Sequence, residues 1–185
     1  MHGIIHLELK QFVAENYGEP AWLSLLERAG LAQQIYTPLQ SYPDAEMLSL
    51  VTAASGLTGL PASELLEAFG TFLAPRYLAL YGSLLKPEWR TLDVIEHTEE
   101  TIHRVVRRRQ PGAAPPRLKA ERVEPNQVVV VYDSPRKLCA VARGIVRGLA
   151  KHYGETIEIL ESTCMHRGEP ACTLTFRAAP APAAV

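Results

Sequence analysis

Several features are scarce in this 185-residue chain. Net charge is almost absent: 19 basic side chains stand against 20 acidic ones, leaving −1 at pH 7. That excludes a nucleic-acid protein whose affinity comes from bulk positive charge. No apolar run reaches about 18 residues, so no transmembrane helix is expected. The first residues, MHGIIHLELKQF, have neither a basic leader nor a cleavage site, so no secretory signal is expected. Cysteine is limited to three residues, an odd count that suits metal or redox chemistry in a reducing cytoplasm better than a disulfide framework. No paired carboxylates, nucleophile–base arrangement or phosphate-binding glycine loop is present, which argues against an enzyme, and the lack of C-x-x-C-H excludes a covalently attached haem.

What remains is a globular composition, 47% hydrophobic and 21% charged, enough for a substantial core. Apolar spacing predicts helices over 4–15, about 22–31 and about 43–55. A further helix is expected to be capped by Ser63 and kinked or split at Pro75, and a long one to run over 89–109. After the Pro-rich stretch at 110–118 the pattern changes to strands at 118–123 and 127–132. A helix over 135–153 follows, then strands at 156–162 and 172–177 around a turn at 167–170. The expected fold class is α+β: a helical N-terminal half, then a four-stranded antiparallel sheet with helices packed on one side.

Three groups of residues could carry chemistry. Tyr132, Ser134 and Arg136 form Y-x-S-x-R at a predicted strand end, where alternate residues share a face. Two hydroxyls and a guanidinium fork suit a carboxylate or phosphate. The plainer alternative is an arginine packed over a sheet edge beside an exposed serine. His103 shares a largely apolar helix stripe with Leu92, Ile95 and Val106, as a metal or haem ligand would, or as a core histidine would. His97 points away from it, and His2 and His6 are expected to be structural or exposed. Cys164 and Cys172 are brought together by a hairpin, with Cys139 one turn into the preceding helix. They read as three zinc ligands, as oxidation-sensitive thiols, or as buried cysteines.

The order of these features, with MHGII at the start, YGEPAWLSLLERAGL, SELLEAFGTFL and PPRL before the hairpin, resembles the H-NOX family of haem nitric oxide/oxygen binding domains over nearly the whole chain. The resemblance implies one domain over 1–178, helical to about 60 and α/β from about 61, with a flexible tail at 179–185. It implies haem b with His103 as proximal ligand, propionates held by Tyr132, Ser134 and Arg136, and the ring distorted by Pro116. The distal pocket would comprise Ile5, Leu9, Leu73, Tyr77 and Val141. Leu9, Leu73 and Val141 are apolar where the oxygen-binding branch carries a tyrosine and its two supports. That implies a nitric oxide sensor, with carbon monoxide as a further ligand, that breaks the iron–His103 bond and changes conformation for a separate partner such as a histidine kinase or a cyclic-di-GMP enzyme. Tyr77 departs from the family's usual phenylalanine. Its hydroxyl would favour an oxygen-binding sensor if it points inward, and would be neutral if it points to solvent or a carbonyl. Some bacterial members hold zinc with a histidine where Glu161 stands, which implies Glu161 or His166 as the fourth ligand here, and a zinc or thiol redox sensor is the other alternative.

Overall fold

The computed structural model describes residues 1–110 and 112–179. Most of the expected tail, 180–185, lies outside the described residues. Four helices open the chain: α1 (Gly3–Tyr17), α2 (Glu19–Arg28), α3 (Asp44–Thr58) and α4 (Ala62–Tyr81). The first three pack with the start of α4 around Leu9, Phe12, Trp22, Leu25, Met47, Leu50 and Phe69, all buried. Helix α4 begins at Ala62 after Pro61, so Ser63 lies inside its first turn rather than capping it. Of the two outcomes expected at Pro75, a kink or a split, the split does not occur: the helix runs on to Tyr81. A proline removes one N–H, and the packing of a long helix outweighs that loss.

The C-terminal part is a four-stranded sheet of order β1-β2-β4-β3, antiparallel throughout: β1 (Arg117–Glu124), β2 (Gln127–Asp133), β3 (Ile157–Thr163) and β4 (Cys172–Ala178). Val128, Val130 and Tyr132 pair with Phe176, Leu174 and Cys172 and are buried, while the intervening residues face outward. Two helices cover the buried face. One is α7 (Cys139–Tyr153), contributing Val146 and Ala150; the other is α5 (Thr91–His97), contributing Leu92 and Ile95. The one-sided α+β arrangement is therefore as expected.

Helices α4 and α7 cross at backbone contact. A Cβ added to Gly144 would sit 2.0 Å from the Glu67 carbonyl oxygen, and one added to Gly70 would sit 2.2 Å from that of Val141. Gly148 faces Ala74 in the same way, and the Thr71 hydroxyl donates to the Gly144 carbonyl at 3.1 Å. This seam ties the helical half to the sheet half. Among the described residues, no helix is long and apolar enough to cross a membrane.

The predicted long helix over 89–109 is interrupted. Between α5 and α6 (Arg104–Arg109), residues Glu99–His103 form a π-helical turn. Such single turns are insertions that re-aim the side chains around them, and they are frequent at functional sites.

Candidate functional site

A cavity of about 250 Å³ opens between the sheet half and helices α1, α4 and α7. One wall is aliphatic except for a single phenol: Ile5 from α1, Leu73 and Tyr77 from α4, and Val141 and Ile145 from α7. The opposite wall holds His103, brought round by the π turn, with Pro115 and Pro116. Tyr132, Ser134 and Arg136 line the rim. Leu9, expected on the aliphatic wall, is not there. It lies one turn further along α1 than Ile5, and lines a separate apolar crevice with Phe12, Leu50 and Phe69.

His103 is half-buried, and its Nδ1 lies 2.9 Å from Glu99 Oε2. Burial pulls the imidazole below its usual pKa, with Arg107 adding to the effect, while Glu99 and the Pro116 carbonyl act the other way. A largely neutral ring whose Nδ1–H is given to a carboxylate leaves Nε2 to ligate a metal. Glu99 itself accepts from Arg107 and from the Leu118 amide at 3.2 Å. Partial burial raises its carboxyl, but the His103 and Arg107 contacts outweigh this and hold it below the ordinary range.

The three rim residues do not all sit on one strand. β2 ends at Asp133, so only Tyr132 belongs to it; Ser134 and Arg136 are in the turn before α7. They converge because this turn is held internally: the Ser134 hydroxyl accepts the Arg136 amide at 3.3 Å, and Lys137 takes a left-handed φ of 53°. Tyr132 and Ser134 are both buried. Burial pushes the Tyr132 phenol up to about 12, so it is a donor at neutral pH. Arg136 donates to the Ala114 carbonyl at 2.6 Å and to Asp44 Oδ1, in the first turn of α3, at 2.9 Å.

This donor set fits haem. An apolar slot takes a flat macrocycle, an imidazole facing the slot can ligate iron, and a guanidinium with two hydroxyls at one edge suits carboxylates. Tyr77 lines the slot, its hydroxyl has no hydrogen-bond partner among the described residues, and burial pushes its pKa up. The carbonyl partner of the plainer alternative is therefore absent among the described residues.

The cysteines converge separately, below the rim. Cys139 Sγ lies 3.9 Å from Cys164 Sγ, which lies 3.8 Å from Cys172 Sγ, and all three are buried. Glu161 joins them, the four ligand atoms all falling within 4.8 Å of one another. A zinc tetrahedron with Zn–S of about 2.3 Å spaces its sulfurs about 3.8 Å apart. His166 stands apart: it is exposed, and its Nε2 lies 2.7 Å from the Lys137 carbonyl oxygen. Burial, then the neighbouring thiols, push the Cys139 pKa well up, and burial does the same for Cys172. Cys139 and Cys172 are thus held as neutral thiols, and a divalent metal would favour their thiolate forms. Arg143 joins this cluster to α4, reaching Glu161 and Glu67 at 3.1 Å each.

A family model described as Haem-NO-binding matches residues 2–161. The chain belongs to this family. The H-NOX fold is shown as well: the H-NOX protein of S. oneidensis, in its Fe(II)NO ligation state, superposes with a TM-score of 0.90 at 27% identity, covering 97% of this chain and 100% of that one. The unliganded Fe(II) H-NOX protein of K. algicida superposes at 0.85 with 22% identity over 98% of each chain, a likeness of fold. Among curated proteins, the Caenorhabditis elegans soluble guanylate cyclases gcy-31 and gcy-35 are 21% and 24% identical over 87% of this chain, which spans 23% and 24% of their length. This H-NOX domain therefore belongs to a family of haem-based gas sensors related to soluble guanylate cyclase.

Sequence reasoning missed Glu99, Asp44 and Arg143. Glu99 lies on the His103 stripe four residues earlier, which reads as an ordinary surface pair. Asp44 and Arg143 carried no usable signal, because their partners are 92 and 76 residues away. His6, expected to be structural or exposed, is fully buried, stacked on Tyr36 with ring centroids 4.2 Å apart.

Proposed function

We propose that this H-NOX domain binds haem b through His103 and senses nitric oxide. The observation that carries this reading is the contrast between the two walls: an imidazole on one side, and Ile5, Leu73 and Val141, none of them a donor, on the other. Bound oxygen is polarised and gains from a donor, whereas nitric oxide needs none. Haem, if bound, would supply a ferrous iron able to take a diatomic gas, and His103 would be the residue that holds it.

The chain's own residues do the rest. Tyr132, Ser134 and Arg136 would hold the propionates, and Pro116, on the same wall as His103, would press on the macrocycle. A released His103 stays tethered through Nδ1 to Glu99. Arg136 joins the rim to α3 through Asp44, so a shift of the propionates is felt in the helical half, to about residue 60, as well as in the α/β half from 61 to 178. A switch needs differential affinity for two states, and loss of the iron–histidine bond provides it. The domain acts in the cytoplasm as a sensor and not as an enzyme, takes carbon monoxide as a second gas, and signals to a separate protein such as a histidine kinase or a cyclic-di-GMP enzyme. Zinc is held by Cys139, Cys164, Cys172 and Glu161.

Two other readings each have an observation in their favour. The unpartnered Tyr77 hydroxyl at the slot favours an oxygen-binding sensor, and the close thiols favour a zinc or thiol redox sensor. Absorption spectra of the anaerobically reduced, haem-loaded protein test all three. A five-coordinate ferrous spectrum, lost in His103→Ala, that changes on nitric oxide to that of iron without histidine and forms no stable oxygen complex in air supports the proposal. A stable oxygen spectrum moves the reading to Tyr77. Failure to take up haem moves it to the cysteines.

A further inference from the structure

The carboxylate behind His103 is built into the fold. Glu99 begins the π turn that His103 ends, so the irregular turn carries both partners of one hydrogen bond. A single oxygen, Oε2, receives the His103 ring nitrogen at 2.9 Å and the Leu118 amide at 3.2 Å, while Oε1 receives Arg107. Three donors from three places, the π turn, α6 and the first residues of β1, fix one carboxylate. The side chain is about 28% exposed, so water competes only in part for its lone pairs.

We propose that Glu99 is a positioning residue for His103 that sets how tightly this histidine holds iron, and so how readily the gas signal breaks that bond. This rests on the reading of His103 as the haem ligand. Accepting Nδ1–H fixes the ring tautomer, with Nε2 as the lone-pair nitrogen, and draws the Nδ1 proton toward the carboxylate. The imidazole thereby gains basicity at Nε2 and binds iron more tightly. Arg107 acts in the opposite sense: it shares the carboxylate's charge and weakens the pull on Nδ1–H. The two residues form a graded control behind the ligand. Glu99 raises the threshold for release and Arg107 lowers it. The Leu118 amide ties the same carboxylate to the start of β1, so a released ring is still oriented by the sheet.

The opposing signs make the test sharp. The haem-loaded ferrous protein is studied by resonance Raman spectroscopy of the iron–histidine stretch, and by stopped-flow measurement of histidine release on nitric oxide. Glu99→Gln keeps the shape but removes the charge. It is expected to lower the stretching frequency and to speed release by about tenfold, the lower end of what loss of a ligand's hydrogen-bond partner costs. Arg107→Ala, at a partly exposed position where folding is not at risk, is expected to raise the frequency and slow release. An unchanged frequency in both variants, with histidine-ligated haem present, overturns the proposal for Glu99 alone. A wild-type ferrous spectrum without histidine ligation overturns the functional reading, and this proposal with it. Should Glu99→Gln fail to fold, the direction of the Arg107→Ala shift still decides.

Discussion

The two walls of the cavity are built on opposite principles. The aliphatic wall is carried by regular helices locked at backbone contact, where Gly70, Gly144 and Gly148 leave no room for a methyl group. The histidine wall is carried by a π turn, two prolines and a carboxylate holding three donors. The first is close-packed and, Tyr77 apart, short of hydrogen-bonding groups. The second is irregular, polar and partly solvated. Close-packed seams resist small displacements, and strained or irregular turns absorb them. The difference teaches which side is the reference frame and which side is free to move when a gas arrives.

The largest expected effect comes from breaking the seam. Gly144→Ala pushes a Cβ into the Glu67 carbonyl and should cost about 3 kcal/mol, the upper part of the overpacking range, seen as a lower denaturant midpoint with unchanged slope. An unchanged midpoint would mean that the two helices can slide, and the contrast between the walls would fail. Hydrogen exchange sharpens the same contrast: amides of Glu99–His103 should exchange about a hundredfold faster than those of α4 and α7 facing the seam.

A smaller effect is expected at Glu67, which binds Arg143 and Arg147 beside the seam. Burial raises its carboxyl, but the two arginines hold it below the ordinary 4.5. A lowered folded value means that its stabilisation is complete above that pH and fades as pH falls through the folded value. Glu67→Gln should therefore cost about 1 kcal/mol at pH 7 and progressively less in acid, measured by denaturation across pH. The smallest effect is at Tyr77→Phe. Under the nitric oxide reading it leaves the spectrum in air unchanged, whereas loss of a stable oxygen complex on this substitution would favour the alternative.

Much of this was legible in the sequence because it is local. The strand alternation at Val128, Val130 and Tyr132 and the helix period from Cys139 to Tyr153 each lie within one segment, so pattern alone located them. The three rim residues were legible as a group, although two sit in a turn and not on the strand. The π turn was not, since one inserted residue leaves the apolar stripe of Leu92, Ile95 and Val106 intact on either side. The seam at Gly70 and Gly144 was missed because glycine reads first as a helix weakener, and its value here is the space it leaves for another backbone. Leu9 was assigned to the distal pocket by the family resemblance, which matches its position along α1 but not which of two adjoining cavities it lines.

The π turn at Glu99–His103 has a further consequence as a matter of phase. Each residue of a helix advances the side-chain direction by roughly 100°. One extra residue in the turn therefore sets α6 and everything beyond it out of step with α5 by about that angle, as an angular offset between two coaxial gears. Deleting Thr101 would leave helix on both sides and every ligand-type residue in place, yet would swing either the ring of His103 or the face of α5 away by about a quarter-turn. The aim of this histidine is thus fixed by the number of residues before it as much as by its chemistry.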